Sequence, residues 1–364
     1  MASFAKERAP LILLAIAALV AAVLSGLART GIKVPEIFLD AAQFHSVLMI
    51  SGFFGTVIGL ERAVASRLSF PYLTPLLSGI AGGLLLAGAS ITIVISGFVL
   101  AGICFVATTL LVVIKQPAIY TFTLLAGAML WLIGNVIWGA TGNPMAANAC
   151  GLTFLVLTIA GERLELTRFL PPKRLSKALF GGIVLSIIAA SLMSALSSPD
   201  YPPLLGTSYC ALAIWMFSFD IARKTVRKNG ITRFVAICLL FGYFWLLIGG
   251  ALLAGEFTNS PYQRDAAIHS ISIGFIFSMV IGHAPIIFPA VMRVKIPYSW
   301  IFYIPLAILN LGVAARVMGG LFESTALRTS GVTINAIAIG VFLFTLMLQV
   351  IRNLSRPVDK AYRH

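Results

Sequence analysis

The chain has 364 residues, of which 59% are apolar and 10% charged. About a quarter of the residues in a soluble domain carry charge, so one in ten excludes a water-exposed globule. The net charge of +14 would suit a nucleic-acid partner, unless the basic residues are committed to another purpose.

Apolar stretches of about twenty residues recur along the sequence, each long enough to cross about 30 Å of hydrocarbon as a helix. The pattern predicts helices over 10–29, 40–61, 73–96, 98–114, 119–140, 146–167, 176–196, 203–222, 233–255, 266–290, 299–318 and 330–351. Short connections are marked by Pro71, Pro117, Gly142–Asn143–Pro144, Pro171–Pro172, Pro202–Pro203 and Asn259–Ser260–Pro261. A tight turn near Ser96–Gly97 is needed to part the third stretch from the fourth. Lys6–Glu7–Arg8 ahead of the first run resembles a secretory leader, but the run is long and no A-x-A site comes after it, so a retained first helix is expected. The expected fold is all-α and polytopic: about twelve transmembrane helices in one domain, residues 1–364.

With the amino end inside, only Arg29, Lys33, Arg264, Arg316 and Arg328 of the 26 basic residues fall on the outer side. This asymmetry places both termini in the cytoplasm, as in a multi-pass protein of a prokaryotic inner or plasma membrane. The charge is thus an orientation signal. The expected partner is the lipid bilayer, and a nucleic acid is not.

The second stretch contains FHSVLMISGFFGTVIGLERA and the tenth IHSISIGFIFSMVIGHAP, both opening on His-Ser and reaching an Ile-Gly pair further on. The sixth ends in IAGERLEL, echoing IGLERA of the second. Stretches four apart in order run the same way through the membrane. They suggest three four-helix units, 1–117, 118–229 and 230–364, related about the membrane normal, although Gly-Phe-Ile matches also arise by chance in apolar sequence.

His45 and His269 each lie about five residues into their predicted helices from the outer side, so their depths match. Intramembrane imidazoles usually face the bundle interior. This pair either clamps one metal or one haem iron axially, or is two unrelated histidines bonding to neighbouring helices. His283 lies fourteen residues after His269 and about 21 Å deeper, too far to share that iron. It reads as a satisfied interfacial histidine or as the ligand of a separate inner copper or second haem. His364 is at the carboxyl end. Arg264 opens the tenth helix and Arg316 and Arg29 close the eleventh and first on the outer face, where haem propionates would need cations.

FHSVLMISGFFG and the second histidine helix resemble the haem–copper oxidase catalytic subunit. The run HSISIGFIFSMVIGHAPIIFPAVMR is similar in character to the NnrS family of twelve-helix proteins. The resemblance implies a pseudo-threefold twelve-helix fold, with His45 and His269 as axial ligands of a b-type haem. It does not carry over a copper centre, because the sixth and seventh stretches lack histidine. Nor does it carry over a high-spin haem, because His269–Ser270–Ile271 replaces H-x-H. Reduction of oxygen or nitric oxide is therefore not implied. Electron transfer, or handling of nitrogen oxides or redox stress with a redox partner protein, is.

The competing function is a cofactor-free carrier of a neutral solute or a structural subunit of a larger membrane complex. Ion-coupled carriers keep ionisable groups near the midplane, whereas Glu61, Glu162, Glu165 and Asp220 fall at inner helix ends. A neutral solute would instead meet Asn135, Asn310, Asn335 and helix breaks at Gly79, Gly82 and Gly83. The doublets Glu61–Arg62 and Glu162–Arg163 read as ion pairs that fix helix depth, with docking or proton uptake as the alternative. Met49 and Met279 read as core. Cys104, Cys150, Cys210 and Cys238 have no paired spacing and read as small apolar side chains.

Overall fold

The computed structural model describes residues 3–167, 174–197, 203–255, 260–294 and 296–354. The expected turn residues Pro171, Pro172, Pro202 and Asn259 lie outside the described residues, as do Arg168, Lys173, Lys295, Arg356, Lys360, Arg363 and His364. In chain order the long helices are α1 (Ser3–Ala28), α2 (Glu36–Ser66), α3 (Phe70–Leu86), α4 (Ile91–Lys115), α5 (Ile119–Thr141), α6 (Pro144–Leu166), α7 (Arg174–Ser197), α8 (Pro203–Phe219), α9 (Gly230–Ala254), α10 (Pro261–Met292), α11 (Trp300–Leu321) and α12 (Thr325–Leu354). Ten are long and apolar enough to cross a membrane, and α3 and α8 are shorter apolar helices. No strand occurs among the described residues.

One predicted boundary is wrong. The turn between α3 and α4 falls at 87–90, not at Ser96–Gly97, which lie inside α4. Gly88 takes φ +72°, a left-handed conformation that ends α3 without a side-chain penalty. Gly97 serves packing instead: a Cβ there would come within 2.9 Å of the Ala81 Cβ. The expected breaks at Gly79, Gly82 and Gly83 are corrected too, since all three sit inside continuous α3. There Gly82 faces Gly52 of α2, and a Cβ on Gly82 would lie 3.5 Å from the Gly52 Cα. Small residues at such crossings let helix backbones approach, and dispersion replaces the hydrophobic effect as the source of association.

Consecutive helices pack as hairpin neighbours, with the closest pairings α5 on α6, α8 on α9 and α11 on α12. The membrane-length helices most deeply enclosed by protein are α2, α6 and α10, with 67%, 67% and 61% of their apolar windows buried. The others are half-wrapped, with large exposed side chains such as Leu13, Ile114, Leu185 and Phe344 on their outer faces. α6 touches both α2 and α10, so the three form the centre of the bundle.

Polar side chains at the end of the bundle away from His45 and His269, the inner end, tie this centre together. Arg163 on α6 makes a bidentate pair with Asp220, just past α8, at 2.8 and 3.0 Å, with both side chains almost wholly buried. Asp220 also accepts the Ala222 N–H at 2.6 Å and so starts a single helical turn, Ala222–Thr225. Arg62 on α2 pairs with Glu162 on α6, a partly exposed bridge. Each Glu-Arg doublet thus joins different helices. Arg8 donates to the Val291 carbonyl at 2.6 Å, anchoring α1 to the last turn of α10.

The two ion pairs differ in the solvent left to them, which fixes their energies. Asp220→Ala strands a buried guanidinium and should cost about 3–5 kcal/mol, whereas Arg62→Ala should cost about 1 kcal/mol or less. Denaturant unfolding in detergent measures both, and a larger loss in Arg62→Ala would contradict the burial argument.

Candidate functional site

The chain brings His45 and His269 together. His45 follows the start of α2 at Glu36 by nine residues, and His269 follows the start of α10 at Pro261 by eight. Both helices change winding close after the histidine, to a π-helical segment at Leu48–Phe54 in α2, three residues past His45, and at Ser270–Phe277 in α10, directly after His269. A π segment inserts an extra residue per turn and rotates the remainder of the helix, and such segments concentrate at functional sites. Phe54 and Phe277 end the two segments and line the same cavity as the imidazoles, with ring centres 5.6 Å apart and edge to face.

The imidazole rings of His45 and His269 stand with centroids 6.4 Å apart and planes inclined by 27°. His45 Nδ1 lies 2.6 Å from the Ala22 carbonyl of α1. α1 accommodates the ring at Gly26, where a Cβ would come within 2.8 Å of the His45 Cε1. His269 Nδ1 lies 2.8 Å from the Asp265 carbonyl and 3.4 Å from its Oδ1. Carbonyl oxygens only accept, so these contacts assign the neutral-ring proton to Nδ1 in both residues and leave each Nε2 lone pair available as a ligand.

Asp265 is the functional residue that the sequence reading passed over. It accepts Arg316 Nε at 2.6 Å and Nη2 at 2.8 Å, and Arg328 Nε lies 3.4 Å away. The available signal was its position four residues before His269, which puts both on one helical face. Arg316 is correspondingly not a free cation at the surface: its fork is spent on Asp265, and it is 7% exposed. Arg328 also lies over the Tyr262 ring, 5.4 Å from its centroid.

These groups line a cavity of about 480 Å³ walled by α1, α2, α6, α10, α11 and α12. Arg29, Arg264, Arg316 and Arg328 meet at it, with Met49, Leu152, Leu155 and Ile339 among its apolar walls. Asn335 reaches the same space. Its Nδ2 donates to the Leu309 carbonyl at 2.9 Å, while its buried Oδ1 has no hydrogen-bond partner. The other two asparagines are consumed by the fold. Asn135 joins a Ser51–Trp131 network, and Asn310 accepts from Trp245 at 2.6 Å.

His283 does not join the pair. Its Nδ1 lies 2.8 Å from the Met279 carbonyl, and it lines a separate inner cavity of about 160 Å³ with Glu61, Glu162 and Arg163. Met49 and Met279, expected as plain core, form part of the outer and inner cavity walls respectively. Among the described residues no group of three or more His, Cys, Asp or Glu gathers, so there is no protein-only tetrahedral metal cage at His283 or elsewhere in them. The four cysteines are unbridged.

A comparison with curated proteins returned no match. A sequence profile described as Domain of unknown function (DUF8744) matches residues 8–351, nearly the whole chain, and the chain belongs to that family.

Proposed function

We propose that the chain is a membrane electron-transfer protein that binds a b-type haem between His45 and His269. The observation that carries this reading is the ring spacing. Two metal–nitrogen bonds of about 2 Å each, with about 1 Å from each nitrogen to its ring centre, put two axial imidazole centres about 6 Å apart. The rings stand 6.4 Å apart. Three further features support it. Both Nδ1 atoms rest on oxygen acceptors, the arrangement that orients metal-bound histidines. The cavity lies within the roughly 300–1,000 Å³ of cofactor sites. Arg29 and Arg264 line it as candidate partners for propionates.

When bound, the haem iron supplies a one-electron couple whose potential depends on axial ligation, hydrogen bonding and burial. The chain's own residues set those conditions. The Asp265 backbone carbonyl takes the His269 Nδ1–H and fixes the ring orientation, while the Asp265 carboxylate, held by Arg316, places a negative charge 3.4 Å from the same nitrogen. Leu152, Leu155 and Ile339 exclude water from the cavity wall. A haem held by both imidazoles would have no position free for oxygen or nitric oxide, which favours electron transfer with a redox partner protein over reduction of a gas. Twelve crossings with both termini cytoplasmic, and a pseudo-threefold plan centred on α2, α6 and α10, complete the proposal. Its support is the basic-residue asymmetry and the burial of those three helices.

The purified protein should show a b-type band in a reduced-minus-oxidised spectrum. The band should disappear in His45→Ala and in His269→Ala and persist in His283→Ala. A colourless wild-type protein after expression with ample haem would overturn the reading. Asp265→Asn keeps the backbone carbonyl but removes the carboxylate charge, so it should raise the haem reduction potential by about 60 mV, a tenfold change for one electron, because Arg316 and Arg328 left uncompensated favour the reduced state. Potentiometric titration measures this, and an unchanged or lowered potential would remove Asp265 from its assigned role.

A further inference from the structure

The inner cavity carries a second site, built separately from the outer pair. Its volume of about 160 Å³ is close to the roughly 150 Å³ of an engineered apolar cavity that holds a benzene ring. Val57, Leu155 and Ile276 supply apolar walls. Ile58, Ile159, Ile287 and Phe288 are half-buried at its edge, so the opening is flanked by apolar side chains of the helix bundle. A molecule entering there arrives with an apolar body.

Two polar groups set what the ring must carry. His283 on α10 and Glu61 on α2 stand at similar depth, fourteen residues beyond His269 and sixteen beyond His45. The Met279 carbonyl takes the Nδ1–H of His283, which leaves Nε2 as an acceptor. Glu61 offers an acceptor oxygen whether ionised or protonated, and it has no ion-pair or hydrogen-bond partner among the described residues, whereas Glu162 is held by Arg62 and Arg163 by Asp220. Two acceptors beside a ring-sized apolar space select a ring with a hydroxyl donor at each end. They disfavour the corresponding diketone, which offers acceptors only, and a fatty acid, whose carboxylate would meet Glu61 and Glu162.

We infer that the inner cavity binds the dihydroxybenzene head group of a membrane-soluble hydroquinone, with one hydroxyl on His283 Nε2 and the other on the Glu61 carboxylate. Phe54 and Leu155 line both cavities, so a single layer of side chains separates this head group from the outer site.

The test uses the full chain in detergent micelles with 2-decylhydroquinone, held reduced by ascorbate, against 2-decylbenzoquinone and decylbenzene in equilibrium dialysis. Saturable binding of one hydroquinone per chain is expected, about tenfold tighter than either analogue. The affinity should fall about tenfold in His283→Ala and in Glu61→Gln, the cost of one hydrogen bond to a charged or buried group. Equal uptake of the three probes by the wild type, which requires no variant to fold, would overturn the inference. So would unchanged affinity in both variants.

Discussion

Inside a bilayer-spanning bundle, a polar side chain has no water to bond, so each must find a partner within the protein or stay at an end. The arrangement of α2, α6 and α10 reflects how this chain meets that demand. At the inner end, Arg62 with Glu162 and Arg163 with Asp220 fasten α6 to α2 and to the chain beyond α8. At the outer end, Arg316 and Arg328 converge on Asp265 and fasten α11 and α12 to α10. Between the two ends the three helices are mainly apolar and aromatic, with Phe53, Phe54 and Phe277 in mutual contact and Ser51 and Thr153 hydrogen-bonded to neighbouring helices.

Two features of this frame bear on function. The π-helical segments after His45 and His269 make α2 and α10 alike in winding as well as in sequence. Their shared irregularity ends on Phe54 and Phe277 in the cavity wall, while the imidazoles stay opposed. The Nδ1 contacts then fix each ring's tautomer and direction, so the pair is organised before any ligand arrives. Preorganisation of this kind lowers the cost of binding, because the side chains have already lost their rotamer freedom.

Much of the frame was legible in the sequence. Hydropathy located the helices, and matched depth paired His45 with His269, because both quantities depend only on spacing along a helix. The turn at 87–90 was missed because Gly97 and Gly88 look alike in sequence. Only the tertiary neighbour Ala81 shows that one serves packing, and only the φ of +72° shows that the other turns the chain. Asp265 was missed for a related reason. An acidic residue near the start of a helix is ordinary until Arg316 and Arg328, from two other helices, are seen to close on it. The π segments left no pattern at all in local propensity.

The central claim is that His45 and His269 share one axis across a single haem. Electron paramagnetic resonance of the ferric protein tests it most directly, since axial imidazole planes 27° apart produce a rhombic low-spin spectrum. That spectrum is expected in the wild type, with loss of the low-spin signal when either histidine is replaced by alanine. A high-spin ferric spectrum in the wild type, or a low-spin signal that survives both replacements, would contradict it.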